Sequence, residues 1–273
     1  MESLFIHRFT YRSKYKINTV VYKNNNPIVF HDNKITIWGN NKIIQEIEIK
    51  NRIIDAFSHK NGIICSDRKK LYFFIDTLLL DLCPISPFGC ILSCSDHFIY
   101  SDDFSINKIC LFETRNKYEH IINDIYKYPN SQGLCTSITM KDNTFYLGYE
   151  NGKVYSMNNK CVLLYDFKEP VIKVFIINDQ IYAALFEGRI VNITNKRFTK
   201  IPFQIKCTTI FNEYIMVGSD DGLIIVLDSN LNFIFQIDYK CELVDIISLD
   251  GILSIIMKDG LIMEYVLRCE IEQ

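Results

Sequence analysis

The chain has 273 residues, is 48% hydrophobic and 13% aromatic, and carries a net charge of -2. That composition can fill a large core and excludes a disordered chain. Near-balanced charge excludes a global field that steers nucleic acid or an anionic membrane, so any basic surface has to be local.

No run of 18 apolar residues is present, so no membrane-spanning helix is expected. The opening stretch "MESLFIHRFTYRSK" lacks the pattern of a secretory leader. Ten cysteines at irregular spacings then predict reduced thiols, mostly buried as small hydrophobes, in the cytoplasm or nucleus.

In chain order, the first apolar segment is "SLFIHRF" from Ser3, followed by the polar stretch "TYRSKYK". From there the chain repeats one grammar. Two apolar runs lead to a short polar pivot, a third run follows it, and a weaker fourth completes the unit. The pivots are Asn33-Lys34, Lys69-Lys70, Asn107-Lys108, Asn151-Gly152, Glu187-Gly188, Asp221-Gly222 and Asp259-Gly260. The last four glycines lie 36, 34 and 38 residues apart. Asp-Gly or Asn-Gly between apolar runs is a hairpin signal. Asparagine at 33, 107 and 151 is expected to take the left-handed conformation of such turns. A period between 20 and 50 residues signals a repeat architecture. Four short, β-branched runs per unit predict the blade of a propeller rather than a helical repeat.

Seven units follow, at 17–50, 53–83, 88–124, 134–168, 171–203, 205–240 and 243–268. The expected fold is all-β, a single seven-bladed propeller of four-stranded antiparallel blades spanning 1–273. The seventh unit lacks a fourth run, and residues 3–10 supply one. Pairing of this N-terminal strand with the last blade closes the ring and removes exposed edges.

The repeat resembles the WD40 family over essentially the whole chain. The positions of the dipeptide that names the family read Trp38-Gly39, Ile75-Asp76, Glu113-Thr114, Met157-Asn158, Ile193-Thr194, Leu227-Asp228 and Val266-Leu267. Only Trp38, Asp76 and Asp228 keep the signature, and the Gly-His pair is missing. The resemblance therefore implies a propeller without the family's Asp-His-Ser-Trp network.

Catalytic signatures are absent: no Gly-rich phosphate loop, no Gly-x-Ser-x-Gly elbow, no His-Glu-x-x-His. The nearest approach to a metal site is Cys90, Cys94 and His97 with Cys83 upstream. On one strand, positions 90 and 94 lie about 13 Å apart, too far to share an ion. No metal, no cofactor and no enzyme are expected. The adjacent carboxylates Asp220-Asp221 read as a turn, not as an acid–base pair.

What remains is surface. In a propeller, the turns between second and third strands share one rim with the loops between blades. Three pieces there depart from the template: Tyr11, Arg12, Lys14 and Tyr15; Arg68, Lys69 and Lys70; and Tyr126, Lys127 and Tyr128. Tyrosine and arginine anchor interfaces. Together these residues are expected to form a basic, aromatic arc facing an acidic partner, opposite a rim segment carrying Glu150, Glu187, Asp220, Asp221 and Asp259. The expected function is a non-catalytic interaction scaffold, monomeric on its own, within a larger protein assembly. The alternative is a component of a ribosome-assembly or RNA-processing complex, contacting RNA through the arc.

Overall fold

The computed structural model describes residues 5–23, 26–39, 42–59, 62–67, 69–84, 90–93, 97–101, 105–114, 117–127, 133–249 and 251–267. They form seven four-stranded antiparallel sheets, with no helix among them. β1 (Phe5–Arg12) belongs to the last sheet. Blade 1 is β2 (Thr19–Lys23), β3 (Asn26–Phe30), β4 (Lys34–Gly39) and β5 (Lys42–Glu48). Blade 2 is β6 (Asp55–His59), β7 (Gly62–Ser66), β8 (Lys70–Ile75) and β9 (Leu78–Pro84). Blade 3 is β10 (Cys90–Ser93), β11 (Phe98–Ser101), β12 (Ser105–Thr114) and β13 (Lys117–Lys127). Blade 4 is β14 (Cys135–Lys141), β15 (Thr144–Tyr149), β16 (Lys153–Met157) and β17 (Cys161–Asp166). Blade 5 is β18 (Val171–Ile177), β19 (Gln180–Leu185), β20 (Arg189–Asn192) and β21 (Phe198–Lys200). Blade 6 is β22 (Cys207–Phe211), β23 (Tyr214–Gly218), β24 (Leu223–Leu227) and β25 (Phe233–Asp238). Blade 7 is β26 (Leu243–Leu249), β27 (Ile252–Met257) and β28 (Leu261–Leu267), completed by β1.

The innermost strands β2, β6, β10, β14, β18, β22 and β26 touch their neighbours in turn, and β26 returns to β2, so the ring is closed. Every blade is covered on both faces. A strand buried on both faces reads as a continuous apolar run rather than an alternating one, and β27 (ILSIIM) is buried at every position. Seven apolar clusters fill the seven gaps between blades.

The ring closes as the sequence predicts, but β1 runs two residues further than expected, to Arg12. It carries a bulge between His7 and Phe9. The extra residue flips the odd-numbered side chains from one face to the other. Phe5 therefore packs towards blade 6, against Phe211 and Phe235, whereas Tyr11 packs towards blade 1, edge-on to Trp38.

The glycine pivots are the turns between second and third strands. Gly152, Gly188, Gly222 and Gly260 have φ of 89°, 92°, 96° and 96°. Their carbonyls accept the N–H of Phe167, Ile201, Tyr239 and Ser13, just past each fourth strand. Asn33 makes the same bond to Ile49, without a positive φ. Asn151 also has no positive φ, because the left-handed position in its turn is taken by Gly152. Asn107 lies inside β12, opposite Tyr100, so Asn107-Lys108 is not the pivot of the third unit, whose second strand ends at Ser101 and whose third begins at Ser105.

Candidate interaction face

Antiparallel order sends every second-to-third turn and every loop between blades to one face. On that face polar contacts latch blades 1, 2, 5, 6 and 7. In blade 1, Trp38 Nε1 donates to Thr36 Oγ1 (3.0 Å), which also contacts His31 Nε2 (3.0 Å), and His31 Nδ1 reaches the Lys16 carbonyl (2.9 Å). The sequence implied that the family's four-residue network is missing. A three-residue chain built on the single tryptophan stands in its place. In blade 2, Tyr72 donates to Asp67 (2.7 Å), and Asn51 Nδ2 reaches both Asp67 (3.1 Å) and the Tyr72 hydroxyl (2.7 Å). Asp67 also accepts the N–H groups of Lys69 and Lys70 (2.8 Å each). Burial favours the neutral acid, but these donors outweigh it and hold the Asp67 carboxyl below the usual range. Further round, Glu169 pairs with Arg189, Lys206 with Asp220, and Lys258 with Glu242.

The acidic pair of blade 6 is thereby explained. Asp220 is held by Lys206, and Asp221 accepts the Ser219 hydroxyl. That hydroxyl oxygen in turn accepts the Leu223 N–H (3.0 Å). The bond from Ser219 lowers the Asp221 pKa. Both carboxylates are occupied in folding the turn.

Tyr11 does not reach this face. It is 5% exposed in the core between blades 7 and 1, and burial together with nearby Glu264 pushes its hydroxyl up to about 12. The bulge in β1 is the reason. Arg12 is exposed and sits 3.4 Å from Asp259. Lys14 lies over the Tyr15 ring at 5.0 Å, and Lys34 covers the same ring at 4.6 Å while donating to its hydroxyl (3.0 Å). The Tyr15 pKa falls because of hydrogen bonds from Lys34 and then Lys14. Lys34 is raised chiefly by its hydrogen bond to Glu46. Lys69 is exposed in the blade 2 turn, and Lys70 pairs with Asp81 at 2.9 Å. Tyr126 and Lys127 are the last residues of β13 rather than part of a loop. Tyr126 packs on the core between blades 3 and 4, and Lys127 pairs with Asp124 at 2.7 Å. Arg68, Tyr128 and Cys94 lie outside the described residues. Cys90 packs on the same core as Tyr126.

The structure thus brings Arg12, Lys14, Tyr15, Lys69, Lys70 and Lys127 to one face. It does not keep basic and acidic residues apart, because turns of adjacent blades converge there and Arg12 meets Asp259.

Sequence reasoning missed the centre of the face. A cavity of 430 Å³ opens at the mouth of the channel, lined by Lys16, Asn18, Arg52, Lys206, Glu242 and Lys258 with Ile17, Ile54 and Val244. Its four cations come from blades 1, 2, 6 and 7. Arg52 is fixed by Asp32 (2.9 Å) and Asn18 Oδ1 (3.3 Å). Asn18 Nδ2 is buried without an acceptor among the described residues. Below the mouth lies Asp245, whose pKa is raised by burial against the opposing charge of Lys173. Asp55 and Lys206 also act on it, so groups from blades 2, 5, 6 and 7 meet in the channel. No signal in the sequence joins these positions. Only closure of the ring does.

No family model and no curated protein sequence matches the chain. Its similarity to solved structures lies in the fold. Raptor from Chaetomium thermophilum aligns with a TM-score of 0.75 at 12% identity, covering 94% of this chain and 29% of that one. Virginiamycin B lyase from Staphylococcus aureus aligns at 0.74 and 12%, covering 96% and 99%. BBS1N, crystallised in complex with ARL6DN, aligns at 0.71 and 12%, covering 97% of each chain. The chain is a seven-bladed β-propeller.

Proposed function

We propose that this propeller is a non-catalytic, WD40-like interaction scaffold that docks an acidic segment of a partner protein over the channel mouth. The observation that carries this reading is the convergence of Lys16, Arg52, Lys206 and Lys258 on one cavity, with Asn18 Nδ2 buried without an acceptor beside them. Glu242 is the sole carboxylate in the lining. Around the mouth, Lys14 and Tyr15 on one blade and Lys69 on the next extend the donor surface outwards. Fold alone does not decide between binding and chemistry, since propellers serve both. Asp67, Asp220, Asp221 and Asp259 at the turns favour binding, because each is occupied by a neighbouring donor. Of the solved structures alike in fold, BBS1N was crystallised with a protein partner, ARL6DN, and virginiamycin B lyase is an enzyme, so it is the site that favours a protein partner here. The seven described thiols are all free, which suits the cytoplasm or nucleus.

The test is affinity purification with the wild-type chain, followed by binding measurements on the recovered partner. The triple variant Lys16→Glu, Lys69→Glu and Lys70→Glu is expected to lose the partner at unchanged melting temperature, since exposed charges contribute little to folding. Glu150→Lys with Glu187→Lys is expected to keep it. Equal loss from both variants sinks the reading. A nuclease-sensitive partner whose affinity collapses as salt rises would favour RNA instead.

A further inference from the structure

We propose that the outer edge of β13 pairs antiparallel with the same strand of a second copy of this chain, about a two-fold axis at Ile122. This is independent of the partner at the channel mouth, and it replaces the expectation of a monomer.

β13 has 11 residues, against 3 to 8 in the other outer strands. It ends its sheet, so one row of its backbone N–H and C=O groups faces outwards without a strand among the described residues. Natural edges are blunted by proline, charge or a bulge. This edge carries charges and one bulge, yet it exposes Ile121, Ile122 and Ile125 at 51%, 46% and 38%. Its one bulge leaves Ile125 as the extra residue, so a ladder centred on Ile122 is regular over residues 120–124 of both copies and ends there, because beyond the bulge Lys117 would face Lys127.

The side chains on that stretch are self-complementary. His120, Ile122 and Asp124 sit opposite Leu111, Ile109 and Asn107, so they share one face of the sheet. Antiparallel pairing centred on Ile122 sets each His120 opposite the Asp124 of the other copy, with the two Ile122 side chains between them. Hydrogen-bonded and apolar pairs of this kind stabilise a ladder. Asp124 already holds Lys127, and a carboxylate has acceptor capacity for both. Moving the axis one residue along, to Ile121, sets His120 opposite Ile122 and loses both His120–Asp124 pairs. Those two pairs therefore favour the register centred on Ile122.

Other outer strands expose apolar residues without this arrangement. β17 shows Val162, Leu163 and Tyr165, but it has six residues and a bulge in its middle. An isologous contact uses the edge once and stops at a dimer. A ladder this short buries less than the about 1,000 Å² of a tight interface, so affinity in the micromolar range is expected.

The test is sedimentation velocity on the full chain from about 1 to about 200 µM, a range that brackets such an affinity. A reversible monomer–dimer equilibrium is expected. Ile122→Lys should abolish it, and Val162→Lys on β17 should leave it intact. His120→Asp and Asp124→His alone should each weaken the dimer about tenfold, and the two together should restore it to within about threefold. The swap decides the matter even where Ile122→Lys disturbs folding. A monomer throughout the range, a dimer abolished by Val162→Lys, or a double swap no better than the singles overturns the proposal.

Discussion

A β-carbon built on Gly222 lies 2.3 Å from the carbonyl oxygen of Cys241, in a residue whose φ is already 96°. Two constraints meet there: the left-handed turn and the close approach of the next loop. Gly222→Val is expected to cost about 3 kcal/mol or more, since strain at positive φ adds to the displaced backbone. Asp221→Ala should cost far less, because its exposed carboxylate serves only the Ser219 hydroxyl and backbone N–H groups of its own turn. Denaturant melts of both variants check the order, and equal losses would contradict it. Asp67 gives a second prediction at this scale. Its folded-state pKa is depressed, so its contribution is full above the unfolded carboxylate value and is lost as pH falls through the folded one. The melting-temperature gap between wild type and Asp67→Asn should be constant near pH 6 and close from about pH 4 downwards. A gap that widens in acid would overturn the assignment. The glycine turns were legible because the dipeptide announces them. The Asp67 latch was not, because Asn51 and Tyr72 meet it only across a loop and a strand.

Among elements, β1 shows both what the pattern reveals and what it hides. Its role in closing the ring was legible from the missing fourth run of the last unit. Its side-chain directions were not. Alternation from Phe5 predicts one face for all odd residues, and the bulge at His7/Phe9 divides them between two gaps. Tyr11 was thus read as a surface residue when it is core. Phe5 is 2% exposed and contacts the rings of Phe211, Tyr214 and Phe235. Phe5→Ala is expected to cost about 3 to 5 kcal/mol, the range of buried phenylalanine truncations. Removing residues 1–9 should cost more and leave β28 with an open edge, so aggregation should accompany the loss. Light scattering during a thermal ramp distinguishes the two variants. A truncated chain that melts with the wild type would show that β1 does not close the ring.

The whole molecule behaves as a ring of near-equivalent gaps, each filled by one apolar cluster, and this equivalence makes a test of closure possible. Lys16, Arg52, Lys206 and Lys258 are scattered over 243 positions of sequence, so their meeting at the mouth was illegible. It depends on closure itself, not on where along the ring the chain is cut. Phe5 and Leu267 are antiparallel partners at the seam, so a short linker between the two ends of the chain would make an ordinary hairpin there. New ends opened between Asn195 and Lys196, in the turn joining the last two strands of blade 5, would make β21 the closing strand in place of β1. Both residues are exposed, and the three residue pairs of β20 with β21 lie beyond the break. The permutant is expected to fold with an unchanged far-ultraviolet spectrum and to bind the same partner, because surface turns tolerate such cuts. Its melting temperature should fall by only a few degrees, since β21 is shorter than β1 and holds the seam less firmly. If the permutant fails to fold while tolerating a ligated version of the same cut, the seam at β1 is special and the ring is not a set of equivalent blades.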